Sequence, residues 1–146
     1  MFDLGQYLPY LINRAGARLA VAFGREIRRH SITLQEWRVM AALAAHGGQR
    51  LSDLAALTSI ELSTLSRLIG RMHGAGLLTR VRAHGDRREV AVELTAKGSR
   101  LTRTIIATAK RYERLSLRGI SKDEETQLKR LLVRVYGNLG ALPAQE

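Results

Sequence analysis

Between residues 51 and 95 the chain reads LSDLAALTSIELSTLSRLIGRMHGAGLLTRVRAHGDRREVAVELT, and this stretch limits the possible folds more than any other. Leu65, Leu68, Ile69 and Met72 stand three, four and seven apart, the spacing that puts four apolar side chains on one face of a helix. Ser63, Thr64, Ser66, Arg67, Gly70 and Arg71 then fall elsewhere on that helix, which runs from Glu61 or Leu62 to Ala75 and is stopped by Gly74 and Gly76. A short helix precedes it, capped by Ser52, with Asp53 at its positive end, and closes near Thr58; a turn at Ser59 and Ile60 joins the two. Leu77 to Arg82 and Arg88 to Leu94 have strand character around His84-Gly85-Asp86, which predicts a charged β-hairpin directly after the helix pair.

The flanks are helical. From Leu4 to about Arg29 apolar residues recur at helical spacing, and Pro9 either opens this helix as a first-turn residue or kinks an extension before it. Thr33 and Glu36 form a capping box for a second helix that ends at Gly47-Gly48. Thr95 caps a fifth helix reaching about Arg118, and Ser121 with Glu124 boxes the start of a sixth. The expected class is mainly α (α+β): six helices and one β-hairpin, with residues 32–95 as a winged helix-turn-helix and residues 1–31 and 96–146 as a helical dimerisation region. The first, fifth and sixth helices carry more leucine and isoleucine than a winged helix can cover, so a homodimer is expected.

The composition narrows the partner. Twenty-four Lys and Arg against thirteen Asp and Glu leave a formal charge of +11, which attracts polyanions. Residues 61–103 hold nine of the basic and four of the acidic residues, a local excess of five. With no cysteine there is neither a disulfide framework nor a thiolate metal site nor cysteine-based redox sensing. The four histidines are too scattered for a metal site, so no metal or cofactor is expected. No basic leader precedes an apolar core at the start, and no apolar run is long enough to span a bilayer; a cytoplasmic protein without membrane association is expected.

A helix fits the major groove of double-stranded DNA, where a forked guanidinium can take guanine O6 and N7. Base-edge contact is therefore assigned to Ser63, Thr64, Ser66 and Arg67, and phosphate contact to Arg71 and to Ser52 at the start of the preceding helix. On the hairpin, Arg87 and Arg88 are candidates for the minor groove, with Asp86 orienting Arg88 through a bidentate pair. Net charge alone fits a second reading, a non-specific architectural DNA- or RNA-binding protein. Paired carboxylates, a nucleophile triad and a phosphate loop are all missing from the pattern, so an enzyme is not expected.

The LSDLA start of the third helix, the run STLSRLIGRMHGAGLLTR, the Asp86-Arg87-Arg88 hairpin motif and Leu94-Thr95 followed by Ala96-Lys97-Gly98 together resemble the MarR family of bacterial winged-helix transcription regulators. The resemblance implies a homodimer whose terminal helices interlock while two winged helices sit in adjacent major grooves of a pseudopalindromic operator. It also implies a repressor released by a small effector, often an aromatic or lipophilic acid, bound between the dimer helices and the winged helix. On that reading Arg14 and Arg18 would pair with a carboxylate and Trp37 would stack on a ring; equally, Trp37 on its apolar stripe reads as a core residue.

Overall fold

The computed structural model describes residues 1–82 and 90–140, with side chains of the hairpin strands followed to Val81 and from Val90. Residues Met1–Tyr112 form one compact unit and the chain from Glu113 a second.

In the first unit a short 3₁₀ turn at Leu4–Gln6 precedes helix α1 (Leu8–Ile27). Proline at its first turn answers the question Pro9 raised: the helix starts there, where a missing amide costs nothing. Helix α2 (Leu34–His46) begins in the expected capping box, Thr33 Oγ1 accepting from the Glu36 amide at 3.2 Å and a Glu36 carboxylate oxygen accepting from the Thr33 amide at 2.8 Å. It ends at Gly47, whose φ of 75° an L side chain rarely adopts.

A two-residue strand that the pattern did not announce, β1 (Gln49–Arg50), comes next. It pairs antiparallel with β3 (Val90–Leu94), which also pairs with β2 (Leu78–Arg82), giving the sheet order β1-β3-β2. This strand corrects the start of helix α3 (Leu51–Thr58). Arg50, extended in the strand, is the N-cap, and Ser52 lies one residue inside the helix instead of capping it. Pairing to β3 holds the backbone extended as far as Arg50, two residues before Ser52, so the helix starts at Leu51.

Helix α4 (Leu62–Gly74) follows a left-handed Ser59, and helix α5 (Ala96–Ser116) follows the sheet. Ile27, Val39, Met40, Leu43, Leu54, Leu65, Leu68, Ile69, Met72, Leu78 and Ile105 form the centre of one core joining α1 through α5 and the sheet. Each such side chain stabilises the fold by about 1.5–3 kcal/mol against exposure. Among the described residues the two buried polar side chains are satisfied locally, Thr58 donating to the Leu54 carbonyl and Thr102 to the Gly98 carbonyl.

In the second unit, helix α6 (Lys122–Gly140) starts in the Ser121–Glu124 box. Lys129 donates to Glu113 at 2.6 Å and to Glu125 at 2.7 Å, and Glu125 also takes Lys122. These contacts hold the Lys129 ammonium above the usual lysine range and the Glu125 carboxyl below its own. Leu128, Leu131, Leu132, Val133, Tyr136 and Leu139 are exposed, so α6 leaves an apolar surface uncovered.

Candidate nucleic-acid interface and neighbouring clefts

The division of α4 into two faces matches the spacing of its residues. Leu65, Leu68, Ile69 and Met72 are each 1% exposed or less, while Ser63, Ser66, Arg67 and Arg71 are exposed and Thr64 is half-buried. Among the described residues neither Arg67 nor Arg71 is held in an ion pair, so both guanidinium forks face solvent. Ser52 is exposed in the first turn of α3. Asp86, Arg87 and Arg88 lie outside the described residues.

The start of α4 holds a residue whose role the sequence did not reveal. Glu61 is the N-cap: its carboxylate accepts from the amides of Ser63 at 2.9 Å and Thr64 at 3.0 Å, and its second oxygen takes the Ser63 hydroxyl in a very short contact. Glutamate is outside the usual capping set of Ser, Thr, Asp and Asn, which is why the pattern concealed it. The available signal was an acidic residue at the positive end of a helix macrodipole. The Ser63 hydroxyl first, then the Ser63 and Thr64 amides, hold the Glu61 carboxyl down to about 2 from an ordinary 4.5.

A depressed carboxyl stabilises the native state fully above its unfolded value and ceases to as pH falls through the folded one. The Glu61 cap should therefore contribute unchanged from pH 8 to about 5 and fade between 4.5 and about 2. Melting temperatures of the wild type and Glu61→Gln, measured against pH, should differ by a constant amount near neutrality and converge below pH 4. A gap already closing between pH 7 and 5 would contradict the cap.

The other end of α4 is fastened to the start of α5. Thr95 Oγ1 accepts from the Gly98 amide at 3.0 Å, capping α5, and donates to the Gly76 carbonyl at 2.7 Å. Lys97 donates from Nζ to the Ala75 carbonyl at 2.8 Å. Leu77 donates to the Met72 carbonyl and accepts from the Thr95 amide. Any movement of the α5 start is thus passed to the exit of α4 through short polar contacts.

Residues 32–90, from just before α2 to the first residue of β3, match the MarR family. The match extends along nearly the whole chain to the transcriptional repressor NicR of Pseudomonas putida, 25% identical over 131 residues that cover 90% of this chain and 83% of NicR. The BpsR structure from Bordetella bronchiseptica superposes with a TM-score of 0.82 at 25% identity, covering 93% of this chain and 97% of BpsR. The segment 32–90 of the chain is of the MarR family. NadR, solved in complex with 4-hydroxyphenylacetate, is similar again, with a TM-score of 0.81, 26% identity and coverage of 92% and 96%. The MarR fold of six helices and a small antiparallel sheet is the class that the sequence pattern predicts.

None of the clefts among the described residues is lined by Arg14, Arg18 and Trp37 together. Arg14 lies over the Tyr10 ring at 5.3 Å, and both Arg14 and Arg18 are exposed on α1. Trp37 is half-buried and edge-on to Phe23, with ring centroids 5.6 Å apart; Phe23 in turn meets Tyr112 at 6.0 Å. It packs on the core and also lines a cleft of about 490 Å³ with Arg38, Ala41, His46, Leu57 and Ser59. Neither Arg14 nor Arg18 lines that cleft. A larger cleft of about 560 Å³ lies between the end of α2, Glu93 and Leu94 of β3, and Ser99 and Arg103 of α5. Among the described residues no group of His, Asp and Glu could hold a metal ion, and no helix is long and apolar enough to cross a membrane.

Proposed function

We propose that this chain is a homodimeric, sequence-specific DNA-binding regulator, a repressor that a small organic acid releases from a pseudopalindromic operator. The observation that carries the reading is α4, sealed to the core along one face and presenting hydroxyls and two exposed guanidinium groups along the other. Ser63, Thr64, Ser66 and Arg67 read base edges; Arg71 and Ser52 meet phosphate. Arg87 and Arg88, aimed by Asp86, serve the minor groove.

Dimerisation is supported by what each unit leaves exposed: Leu4, Leu8, Leu11, Ile12 and Leu19 in the first, Leu128, Leu131, Leu132, Tyr136 and Leu139 in the second. Covering such faces with a second copy removes them from water, and residues 1–31 and 96–146 are the dimerisation region on this reading. Two-fold symmetry then sets the half-sites roughly 10 bp apart.

An acid effector is supported by the relatives. DNA binding by BpsR is regulated by 6-hydroxynicotinic acid, and NadR binds 4-hydroxyphenylacetate, both hydroxylated aromatic acids. The cleft beside Trp37 offers an indole for such a ring and Arg38 for its carboxylate, and Arg14 and Arg18 on α1 are the further guanidinium groups proposed for it. A ligand there acts only by its preference for one spacing of the two α4 helices.

Arg67→Ala is expected to relax base preference at one position per half-site by about 1–3 kcal/mol, read by titrating labelled duplexes that vary at that position. Unchanged affinity and preference would remove Arg67 from the interface. A random duplex bound as tightly as a selected one would favour the architectural reading instead.

A further inference from the structure

We propose that Glu61 is a specificity-determining residue: by accepting the Ser63 hydroxyl hydrogen bond it turns Ser63 into an obligate hydrogen-bond acceptor, so that the base facing Ser63 must present an exocyclic amine. The inference rests on α4 being the helix that reads DNA.

A serine hydroxyl ordinarily carries one donor and two acceptor sites and rotates to suit its partner, which makes it a poor discriminator between bases. Here the rotor is fixed. Glu61 Oε1 accepts the Ser63 amide and Oε2 accepts both the Thr64 amide and the Ser63 hydroxyl, so one carboxylate collects three donors from the first turn of α4. Those same contacts keep the carboxyl ionised at any pH where DNA is bound. An ionised carboxylate has no proton to give, and the one proton in the Ser63–Glu61 contact is therefore the serine's. What Ser63 retains for a partner is lone pairs.

In the major groove, adenine N6 and cytosine N4 are donors, whereas guanine offers N7 and O6 and thymine offers O4, all acceptors. An acceptor-only Ser63 suits adenine or cytosine and leaves guanine or thymine facing oxygen with oxygen. The carboxylate has a second effect. It occupies the α4 amides that would otherwise attract a phosphate, and it places a negative charge at the groove edge, which lowers affinity for every duplex and favours the one with the matching amine.

The test is selection of bound duplexes from a random pool by the full-length wild type, Glu61→Gln, Ser63→Ala and Arg67→Ala. The wild type is expected to enrich adenine or cytosine about tenfold over guanine and thymine at one position per half-site, distinct from the position lost in Arg67→Ala. Ser63→Ala, which keeps the Glu61 cap on the two amides, should flatten that position alone. Glu61→Gln can still accept an amide but can donate its own amide hydrogen to Ser63, freeing the serine proton; it should admit guanine and thymine there and bind random duplex several-fold more tightly. A Glu61→Gln pool identical to the wild type's would overturn the proposal, as would a Ser63→Ala pool that keeps the same preference. Wild-type enrichment at no position would overturn the DNA-reading function and this inference with it, whereas enrichment that responds to Arg67→Ala but to neither other variant would sink this inference alone.

Discussion

Gly98→Ala is expected to destabilise the first unit by at least about 3 kcal/mol and to lower its melting temperature by roughly 10 °C. A Cβ at this position would stand 2.1 Å from the Leu77 carbonyl oxygen, 3.1 Å from its carbon and 3.2 Å from a Leu94 methyl. No side-chain rotation relieves a clash with a backbone carbonyl, so α5 must move off the loop. That movement would strain the contacts that meet here: the Thr95 amide on the same carbonyl, the Thr95 hydroxyl on Gly76 and the Lys97 ammonium on Ala75. Gly70→Ala is the control. Its Cβ would meet nothing within 4 Å in the middle of α4, and relief of glycine's backbone entropy should raise stability by about 0.5–1 kcal/mol. Thermal melts of the two variants beside the wild type decide the matter; a Gly98→Ala protein melting like the wild type would mean that α5 is not held this tightly against Leu77.

Leu128→Glu combined with Leu132→Glu is expected to weaken binding to a two-half-site operator by about 100-fold or more. Both leucines are 42% exposed, one turn apart on α6, so the change removes no core residue. It places carboxylates on the surface proposed to meet a second copy, where burial without a partner is prohibitive. A protomer bearing one α4 then loses the tethered second contact, and linked sites typically gain 10²–10⁴ over either alone. Sedimentation should report a monomer, circular dichroism a largely retained helix content, and anisotropy titration equal, weak binding to full and half operators. Retention of full-operator affinity would mean that this face of α6 is not where the copies join.

Much of this architecture could be read from spacing. The buried stripe of α4, the Thr33–Glu36 and Ser121–Glu124 boxes and the exposed placing of Ser63, Ser66, Arg67 and Arg71 are local matters, decided within one or two helical turns. Where the reading went astray, a distant partner intervened. Ser52 has the chemistry of a cap, but β3 captures Gln49 and Arg50 as a strand and moves the helix start ahead of it. Phe23 of α1 meets Trp37 of α2 edge-on, and the cleft beside Trp37 takes Arg38 from α2 itself, neighbours that helical spacing does not show. Glu61 caps α4 although capping preferences favour shorter side chains.

The order of residues determined which faces are apolar, where helices begin and end, and how charge is distributed, because each depends on neighbours a few positions away. The packed structure alone decided that Gly98 must lack a side chain, that Thr95 and Lys97 fasten α5 to the exit of α4, and that Trp37 both seals the core and lines a cleft. Those outcomes join segments about twenty residues apart, and only close packing, in which every atom's space is set by atoms remote in the chain, can select them.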